Sequence, residues 1–305
     1  MKAIPGLVTD ILGRPPVRLA MELDVLPVNE FRFYRGLFKP KECLDGSPLI
    51  HRTRCVKSAW EVEQMEAAAA ISRRTFDYMR TAIAPGLTEM QFAGMYEAYA
   101  RTIGHGGKLR VRHFNTEVYP WHVLSGPSGG MVGLLDSPAS GEGTSAAFPA
   151  GAGPRRLCAD EPVMVDLGTV KNGYHMDETR MFAIGSMPDK AWRASRAAIE
   201  IHDALIERAK PGVTLGELFD DALALADRRG FRDVFLGPSG HQVSFIGHGI
   251  GLELVEPPLI ARGRDTSLEA GMVFALEPKL VFENEFAAGV ESVFRVTETG
   301  GRLIS

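Results

Sequence analysis

The segment Val163-Met-Val-Asp-Leu-Gly-Thr-Val-Lys-Asn-Gly-Tyr-His-Met-Asp-Glu-Thr-Arg-Met-Phe182 contains two apolar runs on either side of a turn. Residues 163–167 predict a short buried strand, 168–173 a turn, and 174–182 a second strand. Asp166 and Asp177 lie on the two arms, so strand pairing can bring their carboxylates together on one face. Adjacent carboxylates repel each other unless a proton or a cation lies between them. The hairpin therefore suggests a cation site; the alternative is that Asp166 ends a strand and Asp177 is a solvated edge residue.

Length and composition restrict the class of protein. A chain of 305 residues forms one large α/β domain or two domains, and 45% apolar residues suffice for a sizeable core. The net charge of −4 and the pI near 6.1 give no sign of a nucleic-acid partner or an acidic membrane surface. No apolar run is long enough to span a membrane, and prolines interrupt the N-terminus where a signal peptide needs an apolar core.

The cysteines point to a reducing compartment. They are three in number and lack CxxC spacing: Cys43, Cys55 and Cys158. Reduced thiols in a cytoplasmic protein are the main interpretation; a catalytic cysteine is the minor alternative, because nothing near any of them suggests an activating base.

Residues 1–57 form a short N-terminal arm, with a strand predicted at 21–28 and a short helix at 30–37. Beyond the arm, Ser58–Glu61 is a capping box that opens a helix, and Pro85-Gly86 ends it. We therefore expect the main domain to cover residues 58–305.

An internal repeat divides this main domain. A proline, a glycine and a capping-box threonine recur 126 residues apart, as Pro85, Gly86 and Thr88 and again as Pro211, Gly212 and Thr214. The same helix-ending and helix-capping residues at one constant offset predict a duplicated helix–helix–strands unit, with α+β halves at about 58–185 and 186–305.

A glycine-rich stretch covers residues 125–153 of the first half. It is not a phosphate cradle, because residues 126–130 lack the Gly-Lys-Ser/Thr that would follow. A lid over a site and plain flexibility are the two interpretations.

Three further polar residues occur in apolar surroundings in the second half. His248 lies between glycines, Glu277 ends an apolar strand, and Glu291 lies among valines. Each alone is more often a hydrogen-bonded polar residue than a ligand. Together with Asp166 and Asp177 they offer four carboxylates and one imidazole, a set suited to two bridged divalent ions.

The order of these five residues and their flanking motifs resembles the pita-bread-fold metallopeptidases: methionine aminopeptidase, Xaa-Pro aminopeptidase and prolidase, with creatinase a metal-free relative. The motifs that match are Val165-Asp-Leu-Gly168, Asp177-Glu-Thr-Arg180, Gly247-His-Gly-Ile-Gly-Leu-Glu253, Gly271-Met-Val-Phe-Ala-Leu-Glu-Pro278 and the Glu291 strand. The resemblance covers the chain from about Ser58 to its end. It implies an α+β fold of two pseudo-symmetric halves with a curved, mainly antiparallel sheet.

The resemblance also implies a role for each residue. Asp166 and Asp177 would be metal ligands with Asp177 bridging, His248 would bind one ion, and Glu291 would bridge. Glu277 would be a ligand and the general base or acid. The cofactor would be two ions of Mn²⁺, Co²⁺, Fe²⁺ or Zn²⁺, whose bridging hydroxide attacks a peptide or related amide bond.

The sequence departs from the family around this centre. Val255, Ser244 and Gly289 stand where relatives that cleave next to proline carry two histidines and an arginine. The histidine of the loop before the first aspartate has no clear match, and His175 or His241 would be a substitute. Residues 1–57 match only the last part of the relatives' N-terminal domain, which helps dimers to form, so the resemblance leaves a homodimer open.

Three functions follow from the resemblance. The first is a dinuclear hydrolase of the Xaa-Pro aminopeptidase or dipeptidase type acting on a small peptide. The second is a metal-dependent C–N hydrolase or lyase acting on a small non-peptide metabolite, which the missing histidines favour. The third is a catalytically impaired binding homologue, against which the intact ligands argue.

Overall fold

The structure is a computed structural model that describes residues 3–112, 121–133 and 137–305, and of Trp121 only the backbone. In these residues the helices are α1 (Ile4–Leu12), α2 (Val28–Phe38), α3 (Ser47–Cys55), α4 (Ala59–Ala82), α5 (Glu89–Thr102), α6 (Asp189–Arg208) and α7 (Leu215–Arg228). The strands are β1 (Arg18–Met21), β2 (Glu42–Asp45), β3 (Trp121–Ser125), β4 (Pro162–Lys171), β5 (Tyr174–Ala183), β6 (Phe245–Gly249), β7 (Glu256–Ala261), β8 (Val273–Leu276), β9 (Lys279–Phe282), β10 (Phe286–Gly289), β11 (Ser292–Thr297) and β12 (Gly300–Leu303).

The chain divides into two compact units. Unit 1 contains residues 3–54 together with Val111 and Arg112, and unit 2 contains the other described residues. In unit 1, β1 and β2 pair in parallel. The predicted division of the chain after residue 57 stays a prediction.

One element of unit 1 differs from the sequence expectation. The helix predicted at 30–37 is confirmed as α2, but the strand predicted at 21–28 is wrong. Strand β1 stops at Met21, and the amides of Val25 and Leu26 turn back to the carbonyl of Glu22. Pro27, which has no N–H for a ladder, then leads into α2.

Capping boxes open three helices of unit 2. In each, the hydroxyl accepts the N3 amide while the N3 side chain accepts the cap amide, as at Ser58–Glu61, Thr88–Gln91 and Thr214–Glu217. The two predicted boxes of the first half and their counterpart in the second are therefore confirmed.

The predicted repeat is visible as matched hydrogen bonds. The amide of Gly86 donates to the carbonyl of Leu157, and the amide of Gly212 donates to that of Leu268, at 2.9 and 3.1 Å. Both glycines have a left-handed backbone, with φ of 86° and 88°. The two halves thus leave their first helix through the same turn, and each turn contacts a segment that forms an isolated β-bridge to the next helix cap, Thr88 with Arg156 and Thr214 with Ser267.

The strands of unit 2 form antiparallel sheets. One sheet has the order β3-β4-β5, a second has the order β12-β11-β8-β6-β7, and β9 and β10 form a hairpin. Helices α4 and α5 pack on the first sheet and α6 and α7 on the second, each over its own apolar core. Among the described residues, no helix has both the length and the apolarity that crossing a membrane requires.

The turn of the β4–β5 hairpin is shorter than predicted. The ladder continues to the pair Lys171–Tyr174, so only Asn172 and Gly173 form the loop, and not residues 168–173. Both have positive φ, 50° and 86°, as a type I′ turn requires. This turn matches the right-handed twist of the strands, which explains why the arms extend to ten residues each.

Residues at both ends of the glycine-rich stretch donate hydrogen bonds to the same buried carboxylate. Glu89 accepts hydrogen bonds from the amide and hydroxyl of Ser125, the hydroxyl of Ser128 and the amide of Gly153. Burial raises the pKa of Glu89, although these bonds oppose the shift. Residues 134–136 lie outside the described part, and the lid interpretation stays a prediction.

Candidate metal centre

Five side chains named from the sequence lie in one cluster of unit 2. Asp166 lies on β4, Asp177 on β5 and His248 on β6, while Glu277 directly follows β8 and Glu291 directly precedes β11. All are buried except Asp166, whose side chain is 16% exposed. Strands of both sheets, or the residues next to their ends, therefore supply the cluster.

The hairpin register explains how the two aspartates meet. Asp166 is paired with Thr179, and Asp177 with Gly168, so the aspartates are diagonal neighbours on one face of the sheet. The interpretation of Asp177 as a solvated edge residue is excluded, because this side chain is buried.

His248 presents one ring nitrogen to the cluster. Its Nδ1 is 3.0 Å from the carbonyl oxygen of Gly249, which favours a proton on that nitrogen. Its Nε2 faces carboxylate oxygens of Asp177, Glu277 and Glu291 at 3.8, 3.8 and 4.0 Å. Burial lowers the pKa of His248, so a neutral imidazole offers its Nε2 lone pair to this space.

The space beside His248 fits a metal ion. Asp177, His248 and Glu291 each contribute one ligand atom, and these atoms lie within 4.8 Å of one another. Two carboxylates and an imidazole are a donor set that first-row divalent metals accept. We call this space the imidazole position.

A lysine that the sequence interpretation missed occupies the other side of the cluster. The Nζ atom of Lys279 lies 2.8 Å from Asp166 Oδ2, 2.8 Å from Glu277 Oε2 and 3.1 Å from Glu291 Oε2. We call this space the ammonium position. Glu277 and Glu291 face both positions, because the other oxygen of each is directed at His248.

The pKa values reflect crowded negative charge around one ammonium. Burial raises the pKa of Asp177 well above its usual range and that of Glu291 to about 8. Burial also tends to raise the pKa of Asp166, but Lys279, His122 and a hydrogen bond with Asp177 together outweigh it, so the net shift in the pKa of Asp166 is downward. The carboxylates in turn raise the pKa of Lys279 well above its usual value, although burial opposes this. The cluster is therefore an environment that favours cations.

Residues of the Asp177–Arg180 motif hold Glu291 in place. Thr179 and Glu291 exchange backbone hydrogen bonds at 3.3 and 3.2 Å, and the Thr179 hydroxyl donates to Glu291 Oε2 at 3.0 Å. The guanidinium of Arg180 donates to the Glu291 carbonyl. The motif thus joins the two sheets at the point where the cluster forms.

His122 is a second residue that the sequence interpretation missed. It lies on β3 directly opposite Asp166 in the strand register. Burial lowers the pKa of His122, and the attraction of Asp166 only partly opposes this. Its signal was the short run 121–125, which contains three apolar residues and is followed by Gly126.

The residues at the positions where the family carries two histidines and an arginine are exposed or lack a polar side chain. Val255 and Ser244 are exposed, and Gly289 is buried. His241 is exposed, whereas His175 is buried and bonded through both ring nitrogens, to the Gly251 carbonyl and the Arg110 amide. His175 therefore has no ring nitrogen left for a substrate.

Comparison with known proteins identifies the family. Residues 63–298 match the profile of metallopeptidase family M24. The chain belongs to this family. It is 30% identical over 282 residues to an Xaa-Pro dipeptidase of Lactobacillus helveticus, covering 92% of this chain and 68% of that protein. It is 31% identical over 265 residues to an Xaa-Pro dipeptidase of Pyrococcus furiosus, covering 87% and 67%.

Solved structures show the same fold. An X-Pro aminopeptidase from Thermotoga maritima superposes with a TM-score of 0.80 at 23% identity, covering 100% of this chain and 76% of that one. The prolidase from Pyrococcus furiosus superposes with a TM-score of 0.76 at 24% identity, covering 94% and 75%. The resemblance stated from the motifs is thereby confirmed, and so is the pita-bread α+β fold.

Proposed function

We propose that this member of the M24 family is a metal-dependent peptidase of the Xaa-Pro dipeptidase or aminopeptidase type. Its substrate is a short peptide or a related amide. The observation that carries the proposal is the convergence of four carboxylates and His248 on one buried cluster. The names of the relatives support the substrate class.

The imidazole position is the proposed metal site. Asp177, His248 and Glu291 would hold the ion, with Mn²⁺, Co²⁺, Fe²⁺ or Zn²⁺ suited to their oxygen and nitrogen donors. A divalent ion bound there supplies Lewis acidity for the scissile carbonyl and for a water molecule. Thr179 and Arg180 keep Glu291 in register for this role.

Glu277 is the proposed proton carrier. Its Oε2 accepts a hydrogen bond from Lys279 at 2.8 Å, and its Oε1 faces the imidazole position, 3.8 Å from His248 Nε2. Oε1 is therefore the atom placed to take a proton from the attacking water and to return it to the leaving amine.

The sequence predicted two ions and assigned Asp166 as a ligand. A second ion would need the oxygens of Asp166, Glu277 and Glu291 that surround Lys279. The number of ions stays a prediction, and the role of Asp166 depends on it.

The test is an assay of purified protein, supplied with Mn²⁺ or Co²⁺, against Xaa-Pro dipeptides and general dipeptides. We expect metal-dependent release of amino acids. Glu277→Gln should reduce kcat by about 100-fold or more, the size of a lost acid–base group. Glu283→Gln, a change of the same chemistry at an exposed position, should have no effect.

The outcome also separates the alternatives. Absence of turnover on every peptide, in protein shown to contain metal, would contradict the proposal. Turnover of a non-peptide amide instead would favour the C–N hydrolase or lyase.

A further inference from the structure

The ammonium of Lys279 lies inside the carboxylate cluster and not at its rim. The residue is 2% exposed, and its three N–H donors match three carboxylate oxygens at 2.8, 2.8 and 3.1 Å. Each of these oxygens belongs to a residue that the sequence predicts to bind metal. Lys279 thus occupies the place where a second ion would sit.

The backbone and Gly289 fix the path of the Lys279 side chain. The Lys279 carbonyl accepts the Leu236 amide at 2.8 Å, and Lys279 is paired with Gly289 in the β9–β10 hairpin. A Cβ atom at Gly289 would lie 2.8 Å from Lys279 Cγ, closer than real side chains approach. Because Gly289 lacks that atom, the aliphatic stem can pass over the strand and reach the cluster.

We propose that Lys279 serves as a permanent second cation, so that this chain binds one divalent ion where its sequence pattern predicts two. The inference rests on the proposed function for the imidazole position, where that single ion would bind. Lys279 is then a positioning residue, because all three of its N–H groups are directed at carboxylates.

Geometry opposes an ion and the ammonium sharing the same oxygens. Divalent metals bind carboxylate oxygens at about 2.0–2.2 Å. An ion among the oxygens of Asp166, Glu277 and Glu291 would therefore overlap the Nζ atom of Lys279, and the lysine would have to leave. Its exit would carry a charged group out of a buried, triply hydrogen-bonded place.

Charge balance agrees with one ion. The four carboxylates carry four formal negative charges, and the ammonium with one dication neutralises three of them. A second dication beside the retained ammonium would make the cluster net positive, which removes the attraction that draws cations to it.

The test is a count of bound ions in chelator-stripped protein that is reloaded with Mn²⁺. Equilibrium dialysis with elemental analysis gives the number, and the electron paramagnetic resonance spectrum distinguishes an isolated Mn²⁺ from a coupled pair. Wild type should bind one ion with an uncoupled spectrum. Lys279→Ala should bind two and show coupling, while Lys210→Ala, at an exposed lysine, should behave as wild type.

Aspartate variants give a second readout that does not depend on the fate of the lysine variant. Asp177→Asn should lose the single ion, because it removes a proposed ligand. Asp166→Asn should still bind one ion, because Asp166 contacts the ammonium.

Each outcome is decisive. Two coupled ions in the wild type would overturn the inference and leave the proposed function standing. A folded Lys279→Ala protein that still binds one ion, or an Asp166→Asn protein that binds none, would also overturn the inference. Absence of any ion from the wild type would overturn both the inference and the proposed metal site.

Discussion

At the level of single residues, the motif spacing in the sequence predicted the five side chains of the cluster but not the ammonium of Lys279 among them. Asp166, Asp177 and His248 stand in motifs whose glycines and apolar runs mark strand ends. Lys279 carried a signal that was not used: in an extended chain residues two apart face the same side, and Lys279 follows Glu277 by two. A lysine between a proline and an apolar run is otherwise easily taken for a surface residue.

A buried ion pair lies elsewhere in unit 2, between Lys57 and Glu256. The two charged atoms are 3.5 Å apart, and both side chains are 2% exposed. Lys57→Met removes the buried ammonium beside Glu256, and we expect a loss of about 3–5 kcal/mol in the free energy of unfolding. Urea denaturation measures the free energy of unfolding, and Lys210→Met, at an exposed lysine, is the control. The double variant Lys57→Met/Glu256→Met should regain much of this stability. If the single and the double variant lose the same free energy of unfolding, the unpaired carboxylate is not the cause.

His105 should make the fold sensitive to acid. Its Nδ1 accepts the Val170 amide at 3.0 Å, and burial lowers the pKa of His105 from 6.5 to about 4. The unfolded chain binds this proton more readily, so stability present above pH 6.5 is lost as the pH falls to about 4. The loss is up to about 3 kcal/mol. His105→Asn keeps an acceptor but no titrating group, so its stability should fall less steeply between pH 6.5 and 4; an unchanged slope would refute the assignment.

At the scale of elements, helix ends were predictable and strand ends were not. Capping boxes and Pro-Gly pairs are local signals, because the groups that satisfy the helix end lie within a few residues. The extent of β4 and β5 depends instead on the Asn172-Gly173 turn and on pairing across the hairpin. The strand predicted at 21–28 failed for the same reason, since its pairing partner β2 lies about twenty residues away in sequence.

The hairpin turn gives a clean test at this scale. Gly173 has φ of 86° and no atom near the place of a Cβ, so Gly173→Ala should cost about 1–2 kcal/mol through the backbone alone. Gly94 lies within α5, also with free space at the Cβ place. Gly94→Ala should therefore stabilise by about 0.5–1 kcal/mol. Urea unfolding of both variants should show shifts of opposite sign, and a neutral Gly173→Ala would argue against the turn assignment.

At the scale of the whole molecule, the 126-residue offset predicted the repeat because each half uses the same turn. The Gly86 and Gly212 hydrogen bonds show that both halves close in the same way. The convergence of the five side chains was not available from either half alone. It arises where Thr179 of the first half and Glu291 of the second join their sheets through reciprocal backbone bonds.

Metal binding should stabilise the folded molecule as a whole. An ion present at 100 times its Kd adds about 2.7 kcal/mol, provided that it binds only the native state. Mn²⁺ should therefore raise the Tm of the stripped wild type but not that of Asp177→Asn, which lacks a proposed ligand. Asp265→Asn, at an exposed site, should respond as the wild type does. An equal rise in Asp177→Asn would place the ion elsewhere.

The most direct measurement is a crystal structure of the Mn²⁺-loaded protein with anomalous scattering recorded at the manganese edge. We expect one peak in the cluster, between Asp177, His248 and Glu291, with Lys279 still bonded to Asp166. Two peaks with Lys279 displaced, or a peak outside the cluster, would contradict it.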